Sequence, residues 1–184
     1  MKSIIILLPF LLISIFSCSR APESVEDELS PILSDASSML PTREQIPNEW
    51  VAQPRDERSN STVNYVRLSQ SKPNEPLRST NLIFNINKFS TIEEANRYYL
   101  EESTRLKNSA DFSKEFPLSV KNSVCFGYER LPTTNTETNQ VVYLGIGICI
   151  KKNIAFITRA ISSETEDVDG IINKFIKIMA KNIK

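Results

Sequence analysis

Val141-Val142-Tyr143-Leu144-Gly145-Ile146-Gly147-Ile148-Cys149-Ile150 and Ile154-Ala155-Phe156-Ile157-Thr158-Arg159-Ala160-Ile161, joined by Lys151-Lys152-Asn153, decide the fold. Both runs read as strands apolar on both faces, and such strands need cover on both sides. A three-residue turn centred on Lys152 suits the linker, with Asn153 last in the left-handed region that asparagine tolerates. That centre pairs Ile150 with Ile154, Ile148 with Phe156 and Ile146 with Thr158. One face then carries Leu144, Ile146, Ile148, Ile150, Ile154, Phe156 and Ala160. The other carries Gly145, Gly147, Cys149, Ala155, Ile157 and Ile161, with Arg159 as its polar exception. The bare stripe at Gly145 and Gly147 serves either as a contact surface for a partner or as room for a helix to pack closely.

The flanking sequence supplies the cover. Downstream, Ser163-Glu164-Thr165-Glu166 matches a capping box. Val168, Ile171, Ile172, Phe175, Ile178, Met179 and Ile183 then recur at helical spacing. Lys174, Lys177, Lys181 and Lys184 take the opposite side, where cations late in a helix complement its dipole. They form a solvated face or one that touches anionic lipid. Upstream, Val63 to Leu68 reads as a strand, and Leu82, Phe84 and Ile86 alternate with polar neighbours as a half-buried strand does. Ser90 or Thr91 caps a helix whose apolar side is Ile92, Ala95, Tyr98, Tyr99 and Leu106. Thr42-Arg43-Glu44-Gln45 opens a single helical turn ended by Pro47, and Trp50 begins an extended piece, as a core residue or, alternatively, one that stacks on a ligand. The expected class is α+β, an antiparallel sheet covered by helices.

A further strand, Val124 to Leu131, precedes the polar loop 132–139. If it pairs with the 141–150 strand about Glu137, Cys125 falls opposite Cys149. A disulfide there would close a loop of about 25 residues and stabilise the fold by about 3 kcal/mol. Two buried free thiols are the alternative.

The N-terminus gives an address. Lys2 is followed by an apolar run from Ile4 to Ile15 and then by Ser17-Cys18. A charged start, a short apolar stretch and a small residue at the cut describe a secretory signal. The run is shorter than the roughly 20 residues that cross a bilayer. Ile15-Phe16-Ser17-Cys18 resembles the bacterial lipobox. The resemblance implies diacylglycerol on the Cys18 sulfur, cleavage before it and acylation, typically palmitate, of the new amine. Ordinary secretion with an incidental Cys18 is the other reading. The expected organisation is a signal peptide over 1–17, a lipidated N-terminus and flexible tether over 18–39, and one domain over 40–184. The tether's Ser, Pro and acidic composition buries little. Ser19 rather than aspartate after the lipidated cysteine favours an outer membrane where the host has one.

Composition narrows function. The chain has 22 basic and 22 acidic residues and no histidine. Near-neutral charge gives no electrostatic footprint for nucleic acid. Without histidine, Ser-His-Asp and Cys-His catalysis are excluded, and zinc sites built on Cys and His are out of reach. Carboxylate chemistry and oxygen-ligated calcium survive this filter. No acid pair sits in an apolar setting suited to hydrolysis. No enzyme activity, cofactor or metal is therefore expected.

Three stretches, Leu40-Pro41-Thr42 with Ile46-Pro47-Asn48-Glu49-Trp50, Phe89-Ser90-Thr91-Ile92-Glu93-Glu94-Ala95, and the Lys151-Lys152-Asn153 hairpin with the final helix, together resemble small bacterial surface lipoproteins with a PsbP/Mog1-like fold. The resemblance implies an α/β/α sandwich. The family's partners, a photosystem for PsbP and a small GTPase for Mog1, do not transfer, because a fold does not carry a function. The expected role is a membrane-anchored, extracytoplasmic binding or assembly module of the cell envelope. It is held on a membrane through Cys18 and contacts a protein partner of unknown identity. The alternative is a carrier of an apolar ligand or lipid lodged between sheet and helix.

Overall fold

Alternating and doubly apolar strands leave only one economical arrangement, a sheet with helices on its faces, and the computed structural model has it. It describes residues 30–54, 61–70, 73, 75–165 and 167–184. The strands are β1 (Val51–Ala52), β2 (Thr62–Ser69), β3 (Arg78–Lys88), β4 (Phe112–Phe116), β5 (Val124–Arg130), β6 (Thr133–Thr134), β7 (Val141–Lys151) and β8 (Ile154–Ser162). They form one sheet in the order β1-β2-β3-β8-β7-β5-β4, with β6 alongside β7. Every pairing is antiparallel. The helices are α1 (Ala36–Met39), α2 (Ile92–Lys107) and α3 (Val168–Asn182), with a 3-10 turn at Arg43–Gln45. The fold is α+β, as expected.

The central hairpin differs from the expected register by one residue. Lys151 pairs with Ile154, Cys149 with Phe156 and Gly147 with Thr158. The turn is Lys152-Asn153, and Lys152 takes the left-handed conformation at φ 56°. A one-residue slip moves a whole strand's side chains to the other face. Gly145, Gly147 and Cys149 therefore share a face with Ile154, Phe156, Thr158 and Ala160. Ile146 and Ile148 share the opposite face with Ile157 and Arg159. The reason lies in Asn153, which is only 2% exposed. Its Oδ1 accepts from Ile32 N–H at 2.6 Å, while its Nδ2 donates to Ile32 O at 3.3 Å and Phe89 O at 2.8 Å. The side chain expected to shape the turn ties down two distant segments instead.

α3 covers the glycine face. Ile172, Phe175, Ile176 and Met179 are at most 1% exposed, and each such burial stabilises by about 1.5–3 kcal/mol. The same core takes in Trp50, Tyr65, Leu82, Phe84 and Ile86. It also takes in Ile32 and Met39, so the folded unit reaches back before Leu40 into residues assigned from composition to the tether. The cap of α3 is Asp167, which accepts from Gly170 N–H at 3.1 Å, and not the expected Ser163. Glu164 turns instead to Arg67 at 3.0 Å and Thr80 at 3.0 Å, joining β2 and β3 to the end of β8.

α2 covers only part of the other face. Thr91 caps it by accepting from Glu94 N–H at 3.2 Å, and the Glu94 carboxylate accepts from Ser90 N–H at 3.0 Å. Leu106 meets Phe126, Tyr128, Ile146, Ile148 and Ile157. The helix lies over β5, β7 and β8. On the same face beyond it, Val51 and Leu68 are 59% and 57% exposed. The sandwich is thus closed on one side and half closed on the other.

The glycine stripe is a trough for α3. A Cβ on Gly147 would fall 2.5 Å from Ile172 Cγ2 and 3.0 Å from Leu118 Cδ1, and one on Gly145 would fall 2.7 Å from Ile172 Cδ1. Gly147→Ala is expected to destabilise by about 1–3 kcal/mol, since overpacking a filled core forces side chains off their rotamers. Urea denaturation measures it. A variant as stable as the parent would mean that α3 sits less closely than described.

Candidate binding site

Where α2 ends, it uncovers a cleft over the sheet. Arg105 and Leu106 come from its last turn, and Ser109 and Asp111 from the segment leading into β4. Tyr128 and Arg130 come from β5, Leu144 and Ile146 from β7, and Arg159 from β8. The cleft holds about 390 Å³. Strand alternation aims these side chains at one space: Tyr128 and Ile146 are paired neighbours, as are Ile146 and Arg159.

The floor is apolar and the rim is charged. Asp111 is the hub of one wall. Its Oδ1 accepts from Tyr128 O–H at 3.0 Å and from Ser109 O–H, and its Oδ2 pairs with Arg130. Tyr128 also stacks on Phe112 at 5.5 Å. The other wall is Arg105, held by Glu102 three residues earlier through a 2.7 Å bond from Nη2. That carboxylate raises the guanidinium pKa further above its usual range. Arg159 differs from both. Its Nη1 donates to the neutral Asn85 Oδ1 at 2.8 Å, and among the described residues no carboxylate is paired with it. Nearby, Tyr98 accepts from Asn87 Nδ2 at 3.0 Å. Burial, then the Glu102 charge, pushes its phenol above the ordinary tyrosine range.

Two of three guanidinium groups are thus neutralised and one is not. The cleft carries a net positive charge beside leucine and isoleucine side chains. Such a site suits a carboxylate or phosphate borne on an apolar body, because arginine offers a planar fork of donors that matches either anion.

The residues singled out in sequence fall as follows. Cys125 and Cys149 are directly paired across β5 and β7 with a Cα–Cα distance of 4.1 Å, and they form a disulfide. Gly145 and Gly147 offer no free contact surface, because Ile172 and Val168 of α3 fill the stripe. Of the two uses the bare stripe allowed, the structure has the helix-packing one. Cys18 and the signal segment lie outside the described residues. Of the polar cleft residues, only Arg159 stood out in sequence, as the polar exception in an apolar strand; Leu106, Leu144 and Ile146 were read there only as apolar-face residues.

No family model matches the chain, and no curated protein matches it. Among solved structures, it is distantly similar to LpqN, described as involved in cell envelope biogenesis of Mycobacterium tuberculosis. The identity is 10%, over 74% of this chain and 78% of that one, with a TM-score of 0.41.

Proposed function

We propose that the protein is a lipid-anchored, extracytoplasmic lipoprotein of the cell envelope, and that its domain is a non-catalytic binding module. The address rests on the signal-like N-terminus and on the likeness of Ile15-Phe16-Ser17-Cys18 to a lipobox. The binding role rests on one observation, the unneutralised Arg159 in the cleft left open by α2. Its partner presents a carboxylate or phosphate next to apolar surface. The packing of α3 weighs against the alternative of an apolar carrier with its ligand between sheet and helix, because Ile172, Phe175 and Met179 already fill that space.

The test is mild crosslinking of the lipidated chain in its own cells, followed by affinity capture and mass spectrometry. Cys18→Ala and Arg159→Glu serve as controls. A partner captured by the parent is expected to fall by at least about tenfold with Arg159→Glu, the loss that about 1.4 kcal/mol of binding free energy represents. The melting temperature should stay near the parent's. Equal capture by Arg159→Glu would remove the cleft from the reading. A parent chain without acyl mass on Cys18 would remove the anchor.

A further inference from the structure

Lysines gather at the end of the fold where the N-terminal segment enters. Lys121, Lys151, Lys177, Lys181 and Lys184 line an open groove of about 530 Å³ between the 119–122 segment and the last turns of α3. Val120, Ala180 and Ile183 supply its apolar part. Lys152, beside Lys151 at the β7–β8 turn, borders an adjoining hollow. The Lys151 ammonium donates to Ile183 O. Burial, and then the neighbouring Lys152 charge, lowers its pKa. Among the described residues, no carboxylate is paired with Lys121, Lys177, Lys181 or Lys184.

The entry point of the chain is fixed at this same end. Asn153, next to Lys152 in the turn, holds Ile32 by two hydrogen bonds. Lys88, which pairs with Ile154 at the start of β8, donates through Nζ to Leu33 O at 2.7 Å and Ser34 O at 3.2 Å. Leu33 itself is 85% exposed. A chain from Cys18 to Ser30 reaches at most about 40 Å when fully extended. Under the anchor reading, the lysine end is therefore the part of the domain tied closest to the membrane.

We propose that this end docks on an anionic lipid surface, with the lysines of the groove against the headgroups and Leu33 at the boundary. The interaction sets the domain's orientation. α3 and the β7–β8 turn face the bilayer, and the cleft at Arg159, on the opposite face of the sheet from α3, stays open to a partner. The proposal uses the lipid anchor only to keep the domain close, so the surface can be tested without it. Each lysine near a negatively charged bilayer contributes about 1 kcal/mol, and the attraction fades within a Debye length of about 10 Å at 0.1 M salt.

The experiment is co-sedimentation of the mature chain, residues 18–184 with Cys18→Ala. One set of vesicles is phosphatidylcholine alone and the other is phosphatidylcholine mixed with phosphatidylglycerol. The chain is expected to sediment with the mixed vesicles only and to be released by added salt. Lys177→Glu, Lys181→Glu and Lys184→Glu together should weaken binding on the order of a hundredfold. These residues are exposed, Lys177 and Lys181 on α3 and Lys184 just beyond it, so the fold should hold, with only a modest fall in melting temperature from reversing charge at the C-terminal end of the helix. Arg159→Glu should leave vesicle binding unchanged. Equal binding to both vesicle types, or a triple variant that binds as the parent does, would overturn the proposal. The anchor reading is scored separately, by acyl mass on Cys18 of the full chain made in cells. Its failure would leave the vesicle result standing.

Discussion

Trp50→Ala is expected to remove about 3–5 kcal/mol of stability, the usual cost of deleting a large aromatic from a filled core. Trp50 is 1% exposed. Its ring meets Phe175 of α3 edge-on at 5.2 Å, and Phe175 in turn meets Phe84 of β3 at 6.3 Å. The Arg67 guanidinium lies 5.1 Å over the indole while its nitrogens bond Glu164. One side chain therefore joins the segment before β1, the sheet and α3. A domain with a net stability of about 5–15 kcal/mol would be left marginal. Urea unfolding followed by circular dichroism measures the loss, since the variant has no tryptophan left to report by fluorescence. Trp50→Phe should recover part of it. A loss below about 1 kcal/mol, the size of an ordinary surface change, would show that the indole is not the joint described.

Removing the disulfide is the second large change. Cys125 and Cys149 are 24 residues apart in sequence. Closing a loop of that size stabilises by about 3 kcal/mol in the chain-entropy account. For a domain of this length, that corresponds to a fall of about 10 °C in melting temperature. The double variant Cys125→Ala with Cys149→Ala should show it in calorimetry. The parent melted with reductant should fall by a similar amount once its bond is reduced. An unchanged melt in the double variant would mean that the ladder between β5 and β7 suffices alone.

The apolar periodicity carried the fold class, because both faces of β7 and β8 had to be covered and one long amphipathic helix followed them. The pairing of β5 with β7 was equally plain, since the loop between them is polar and its middle sets the register. The β7–β8 turn was misread by one residue. Turn preference favoured Asn153 in the left-handed region, but its amide is spent on Ile32 and Phe89, and those partners are invisible to local reasoning. β4 was missed because Phe112 and Phe116 are separated by Ser113-Lys114-Glu115, a run without apolar alternation, and a bulge interrupts its ladder with β5. The helix cap shifted from Ser163 to Asp167, and the Ser163 hydroxyl is spent instead on the backbone of Ser79 in β3. Arg159 was legible as an anomaly. Arg105, Asp111 and Arg130 were not, because they meet only where α2 stops short of the strands beneath it. The lysines of α3 were visible as a stripe, but their nearness to Lys121, Lys151 and the entering chain is a property of the folded sheet.

The grip of Asn153 on Ile32 also has a mechanical side. A pull arriving along the chain from its N-terminal end meets the fold at Ile32, whose backbone is fastened to the turn between β7 and β8. Those two strands occupy the middle of the sheet, far from the edges at β1 and β4. The load is delivered to strands that have hydrogen-bonded neighbours on both sides and a helix on each face, rather than to a margin from which a sheet could be peeled. In the tethered arrangement proposed above, a pull would therefore reach the sheet at its middle.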